Sequence, residues 1–241
     1  MEHSRRLCGL TTTPLAILLV EDDGKLAIWD PAGRGRIAWV PVTWSPYGDV
    51  ELSTDRKWLA HGRGRTAALE IVDLASGQEI ALFQGCIRKR FSPDNRILAC
   101  STETGTILLW DVSTRSELCR LLGHSLRVDG LAFSRDASRL ASASADGSVR
   151  LWHTADCREV ATLRAGVDAF WSVAFSPDNR RLAAGTGDGR VVLWDLTTRQ
   201  HVATFRVQPG GMVGHVHFTP DGRALLALGT QTMTRWRASP R

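Results

Sequence analysis

A histidine, two serines and an aspartate near the middle of the chain have the side-chain types of a hydrolytic triad. His124 is followed by Ser142 and Ser144 and then by Asp146. In a triad, histidine takes the proton of a serine hydroxyl and a carboxylate orients the imidazole. The sequence has no G-x-S-x-G segment to present the serine and no recognisable oxyanion loop. We therefore do not predict an enzyme from these residues.

Motifs for cofactors and metals are absent from the sequence, which has no phosphate-binding loop and no metal-ligand set. The five cysteines have no C-x-x-C pair and no histidine at ligand spacing. They are Cys8, Cys86, Cys100, Cys119 and Cys157. Their odd number and scatter favour reduced thiols in a cytosolic protein. We expect no cofactor, no metal and a cytoplasmic location, and no apolar run is long enough to cross a membrane.

The positive charge of the chain comes almost entirely from arginine. The net charge is +5, and only Lys25, Lys57 and Lys89 are lysines. Arginine binds carboxylates and phosphates with two parallel hydrogen bonds, so an arginine-rich surface suits an acidic partner. A general bias in composition is the alternative explanation of this charge. A nucleic-acid-binding stripe would use Arg34, Arg36, Arg63, Arg65, Arg88, Lys89 and Arg90.

Tryptophans at a constant interval show how these residues are positioned. Trp110, Trp152, Trp194 and Trp236 follow one another every 42 residues, each at the end of a short apolar run. Two of them are followed by aspartate, and Trp29-Asp30 and Val72-Asp73 extend the pattern towards the N-terminus. A period near 40 residues that ends in Trp-Asp is typical of four-stranded units. The pattern resembles the WD-repeat (WD40) family of β-propellers.

This resemblance implies an all-β fold: a β-propeller of about six blades in a single domain over residues 1–241. The repeats end near Asp30, Asp73, Asp111, His153, Asp195 and Arg237. Within a repeat, a Ser-Pro-Asp-Asn type of turn and an Asp-Gly hairpin separate short strands. In the fifth unit these strands are predicted at residues 169–175, 180–185, 190–194 and 200–205. The second unit fits the pattern poorly, and its inner strand is predicted near residues 49–53.

The last repeat ends without room for a fourth strand. We therefore expect a three-stranded sixth blade, and three explanations stay open. The blade closes by side-chain packing, the chain is a piece of a longer protein such as a seven-bladed propeller, or another chain donates the strand.

The family resemblance also assigns a structural role to the triad-like residues. In a complete blade, a histidine, a serine or threonine, the hairpin aspartate and the tryptophan are joined by hydrogen bonds. Only the fourth unit has the full set, which comprises His124, Ser142, Ser144, Asp146 and Trp152. Buried polar groups need such partners to offset desolvation, so we expect these residues to stabilise the blade.

Propellers bind through loops at the channel mouth and through the first residues of inner strands. The aromatic and charged residues at these positions are the candidate partner-binding set. They are Phe170, Trp171, Arg127, Asp129, Arg88, Arg90, Trp44 and Tyr47. Packing in the channel is the alternative role for Trp171 and Trp44. The resemblance thus predicts a non-enzymatic scaffold that binds a protein or peptide, with nucleic-acid binding as the alternative.

Overall fold

The computed structural model describes residues 6–12, 15–20, 26–29, 36–40, 50–63, 68–207, 211–230 and 232–237. All regular elements in these ranges are β-strands. Within the same ranges, no helix is long and apolar enough to span a membrane. The chain divides into two compact units, Met1–Leu98 with Asp111–Ser116 and Ala99–Trp110 with Glu117–Arg241.

The strands form six successive sheets. The first contains β1 (Arg6–Thr12), β2 (Leu15–Val20), β3 (Leu26–Trp29) and β4 (Arg36–Val40). The second contains β5 (Val50–Leu52), β6 (Trp58–Arg63), β7 (Ala68–Asp73) and β8 (Glu79–Phe83). The third contains β9 (Cys86–Phe91), β10 (Ile97–Thr102), β11 (Ile107–Asp111) and β12 (Ser116–Leu121). Strand β5 lies where its irregular repeat predicted it.

The other three sheets follow the same order of strands. The fourth contains β13 (Val128–Phe133), β14 (Arg139–Ser144), β15 (Val149–His153) and β16 (Glu159–Leu163). The fifth contains β17 (Phe170–Phe175), β18 (Arg181–Thr186), β19 (Arg190–Asp195) and β20 (Gln200–Arg206). The sixth contains β21 (Val213–Phe218), β22 (Ala224–Gly229) and β23 (Met233–Arg237). Neighbours in sequence pair antiparallel in each of these sheets.

Small residues fill the second strand of a sheet because this strand is covered on both faces. In β14, all residues from Leu140 to Ser144 are buried, and four of these five are alanine or serine. The outer strand β20 instead contains only exposed and partly buried residues. Burial therefore falls from the inner strands to the outer edge, as expected for a blade that contacts other sheets with its inner part.

The turn after the inner strand repeats one set of hydrogen bonds in the second to sixth sheets. The Ser176 hydroxyl donates to Asp178 at 2.5 Å, and the backbone N–H of Arg181 donates to Ser176 Oγ at 2.9 Å. Asn179 has a φ of 57°, and its side chain accepts a hydrogen bond from the N–H of Arg135 in the preceding sheet at 2.9 Å. The turn sequence thus closes a hairpin and also connects two neighbouring sheets.

The sixth sheet has three strands among the described residues, as predicted. Its tryptophan, Trp236, is only partly buried and stacks on Phe205 with ring centroids 5.1 Å apart. By contrast, Trp152 and Trp194 are 2% and 1% exposed. How the propeller closes, and whether another chain donates a strand, stay predictions.

Four disulfide-bonded cysteines contradict the expectation of reduced thiols. Cys119 and Cys157 form a disulfide, with Cα atoms 6.5 Å apart. Cys86 and Cys100 are disulfide-bonded as well. The prediction was wrong for these four because scatter along the sequence does not show which strands the repeat brings side by side. The cytoplasmic location was inferred from free thiols. The disulfides remove this support, and the location stays a prediction.

Candidate interaction surface

The triad-like residues of the fourth sheet form one chain of hydrogen bonds. Asp146 Oδ2 lies 2.8 Å from His124 Nδ1, and His124 Nε2 lies 2.8 Å from Ser142 Oγ. The indole N–H of Trp152 donates to the same hydroxyl at 2.8 Å. Ser148 adds a hydrogen bond to Asp146 Oδ1 at 2.5 Å. The sheet therefore satisfies each of these buried polar groups with another side chain.

The direction of the protons follows from burial and from the order of donors. Burial lowers the pKa of His124, and the hydrogen bond to Asp146 opposes this only in part. The imidazole is therefore neutral near pH 7, so Nδ1–H donates to Asp146 and Nε2 accepts from Ser142. Burial by itself would raise the pKa of Asp146, but hydrogen bonds from Ser148 and His124 lower it to about 2.

Ser144 lies outside this chain and supports the hairpin instead. Its hydroxyl donates to the Arg127 carbonyl at 2.8 Å and accepts from the N–H of Asp146 at 3.1 Å. Ser142 has no exposed surface, and its proton is already donated to His124. A substrate cannot reach this hydroxyl in the structure. The arrangement therefore acts to stabilise the sheet.

A β-bulge interrupts the regular pairing of the inner strand in both the fourth and the fifth sheet. Phe170 pairs with Thr186 and Ser172 pairs with Gly185, so Trp171 is the extra residue between them. Asp129 occupies the same position in β13, between Val128 and Gly130. A bulge turns the extra side chain away from the regular alternation of the strand.

The bulges bring three of the predicted residues together. The guanidinium carbon of Arg127 lies 4.7 Å from the centre of the Trp171 ring. Arg127 Nε also donates to Asp129 at 2.9 Å, where the Asp129 side chain is only 5% exposed and that of Arg127 is 38% exposed. The carboxylate thus holds the arginine over the indole, which adds a cation–π contact. We call Arg127, Trp171 and the adjoining Gly187 the Arg127–Trp171 surface.

Phe170 does not belong to this surface and is a correction to the predicted set. It is 0% exposed and packs against Trp194, with ring centroids 5.6 Å apart. The physical reason is the alternation of side chains along a strand, which directs residues 170 and 171 to different sides. Phe170 therefore fills the core of the fifth sheet.

The remaining predicted residues are not brought to the Arg127–Trp171 surface by any described contact. Arg90 is exposed and forms an ion pair with Glu51 at 3.2 Å. Arg88 is partly buried on the same strand. Trp44 and Tyr47 lie outside the described residues. Among the described residues, no group of three or more His, Cys, Asp or Glu side chains could hold a metal ion.

Comparison with known families decides what kind of repeat these sheets are. The model of the WD40 family, described as "WD domain, G-beta repeat", matches residues 84–111, 115–153 and 157–195. The chain contains three WD40 repeats. The matched WD40 segments end at Asp111, His153 and Asp195, where the tryptophan pattern ends three repeats. The predicted fold class is confirmed in that the described chain is all-β and consists of antiparallel sheets consistent with WD40 propeller blades.

A further comparison finds a WD40 relative among curated proteins. The chain is 28% identical over 147 residues to Pre-mRNA-processing factor 19 of Oryza sativa subsp. japonica. The match includes 55% of this chain and 27% of that relative. The likeness therefore concerns only a part of the rice protein.

Gly187 is a residue of the surface that the WD40 pattern did not reveal. A Cβ atom at this position would lie 3.1 Å from Trp171 Nε1, so a side chain would crowd the indole. Gly187 directly precedes Asp188-Gly189, a hairpin that belongs to the WD40 pattern. Its contact with Trp171, however, joins the end of β18 to the neighbouring strand β17. Nothing in the local sequence indicates this contact.

Proposed function

We propose that this chain is a non-enzymatic WD40 scaffold that binds a protein or peptide partner through the Arg127–Trp171 surface. WD40 repeats generally mediate protein–protein interaction. The observation that supports this location is the stack of Arg127 on Trp171, which leaves the arginine 38% exposed. Arginine and tryptophan are enriched among the residues that contribute most to binding at interfaces.

The pair is also held in place before a partner arrives. Asp129 accepts a hydrogen bond from the Arg127 guanidinium, and Trp171, at the bulge of β17, lies beside Gly187. A side chain that is already ordered loses less conformational entropy on binding. Half-buried side chains that are already held by such contacts are better suited to recognition than side chains on a mobile loop.

The nucleic-acid alternative receives less support from the described residues. Arg90 is engaged by Glu51, and the Lys89 side chain is buried within β9. Arg34 and Arg65, and the side chains of Arg36 and Arg63, lie outside the description. A salt series separates the two proposals, because affinity for RNA or DNA falls steeply with salt.

The test compares partner capture by the full chain and by two surface variants. Trp171→Ala and Arg127→Ala should each weaken a partner identified by quantitative affinity purification. The expected loss on the order of 2 kcal/mol corresponds to roughly 30-fold in Kd, measured by calorimetry. The melting temperature should change less than the affinity.

Arg120→Ala is the matched control, since Arg120 is exposed and bound only to Glu117 on the outer strand β12 in the described contacts. This variant should bind the partner like the wild type. If Trp171→Ala lowers the melting temperature while the Kd is unchanged, the indole is a packing residue and the proposed surface is wrong. Retained binding by both surface variants leads to the same conclusion.

A further inference from the structure

Cys119 and Cys157 each differ from the residues at the equivalent positions of the other repeats. Counted from the repeat tryptophan or its valine substitute, the equivalents of Cys119 are Ala81, Ala161 and Ala203. The equivalents of Cys157 are Gly77, Arg115 and Arg199. All four residues at this second position have a φ between 55° and 69°. The turn thus has the same shape in each sheet, and neither position requires a cysteine for local structure.

Cys119 and Cys157 lie next to each other in two neighbouring sheets. Cys119 lies in the outer strand β12 of the third sheet, and Cys157 lies in the turn between β15 and β16 of the fourth. Their Cα atoms are 6.5 Å apart in the disulfide, and both residues are partly exposed. A small thiol or disulfide in solution can therefore reach them.

The bond closes a loop that contains β13, β14 and β15 together with the complete His124 network. The two cysteines are 38 positions apart in sequence. Closing a loop of this length removes many conformations from the unfolded chain, which stabilises the folded state. The covalent bond thus holds the fourth sheet to the outer strand of the third.

We propose that Cys119 and Cys157 form a redox-controlled cross-link that sets the stability of the fourth blade. A deprotonated thiol of one cysteine attacks a disulfide of the glutathione class and releases one small thiolate. The thiolate of the second cysteine then displaces the other small thiol from the mixed disulfide. Two protein thiols and one small disulfide become one protein disulfide and two small thiols. A dithiol reductant reverses the reaction and is itself oxidised to a disulfide.

The repeat supplies replacements for the test that should leave packing undisturbed. The double variant Cys119→Ala, Cys157→Arg introduces the residues found at the equivalent positions of other blades. Wild type and variant are equilibrated with oxidised glutathione or with dithiothreitol, and urea unfolding is followed by tryptophan fluorescence. Reduction should lower the wild-type midpoint by about 1 M more than it lowers the midpoint of the variant.

The comparison cancels the contribution of Cys86 and Cys100, which both proteins retain. After reduction, wild type and variant should unfold at closely similar urea concentrations. An equal loss of stability in both proteins on reduction would overturn the proposal. Peptide mapping of the oxidised wild type is an independent test: Cys119 and Cys157 should be found in one cross-linked peptide pair, and two alkylated free thiols would refute the cross-link.

Discussion

Asp146→Asn tests whether the buried network stabilises the protein in the way its geometry indicates. Asp146 accepts hydrogen bonds from His124 and from both the hydroxyl and the N–H of Ser148, and its side chain is 4% exposed. An asparagine of the same shape keeps one acceptor oxygen and presents N–H groups where the other oxygen lay. At least one buried donor is then left without a partner.

The size of the effect follows from the pKa of Asp146. The folded state lowers this pKa from 3.8 to about 2. At about 1.4 kcal/mol per pKa unit, the carboxylate contributes roughly 2 kcal/mol to stability at neutral pH. Because the folded pKa is the lower one, this contribution is complete well above pH 3.8 and is lost as pH falls through about 2. About half of it should be gone at about pH 3.

Urea unfolding of wild type and Asp146→Asn at several pH values measures this contribution. We expect a difference of roughly 2 kcal/mol at pH 7 and a clearly smaller one near pH 3. Asp156→Asn is the control, since Asp156 binds His153 with an exposed side chain and should leave the midpoint unchanged. The reasoning is refuted if Asp146→Asn matches the wild type at pH 7, or if the difference does not depend on pH.

Two further predictions concern the imidazole and the contact between sheets. The stability of His124→Gln should become more similar to that of the wild type as pH falls from 7 to 5, because burial lowers the folded pKa of His124 below 6.5 and the unfolded wild type therefore gains the proton more readily than the folded one. A difference in the free energy of unfolding that stays constant over this range would contradict the prediction. Gly130→Ala should destabilise the chain by about 2 kcal/mol in urea unfolding. The added Cβ would lie 2.9 Å from Ser172 Cα, whereas at the control Gly214→Ala it would meet only Met212 Cε at 3.8 Å, so equal effects of the two changes would disprove the close contact.

Much of the fold could be predicted because a WD40 blade is encoded within one repeat. The spacing of the tryptophans and the Ser-x-Asp turns predicted β17 to β20 to within about one residue, since hairpins depend on neighbouring residues. The sequence pattern did not predict the turn between β5 and β6 in the second sheet. Ser53 binds Asp55 at 2.7 Å there, as Ser176 binds Asp178, although the sequence has threonine in place of proline between them.

The candidate site was less accessible to prediction, since its contacts join different repeats. Phe170 and Trp171 are adjacent aromatic residues, and only their burial in the structure shows that Phe170 belongs to the core and that Trp171 is partly exposed. Likewise, the disulfide of Cys119 and Cys157 depends on how two sheets pack.

The amino-acid sequence alone determined the repeats, most of the strands and the central hydrogen-bonded residues His124, Ser142, Asp146 and Trp152, because these depend on local periodicity and on the partners that polar groups need within one blade. Only the tertiary structure decided that Arg127 lies over Trp171. This contact depends on the bulges and on the packing of neighbouring sheets, and residues in one repeat do not specify the position of the next.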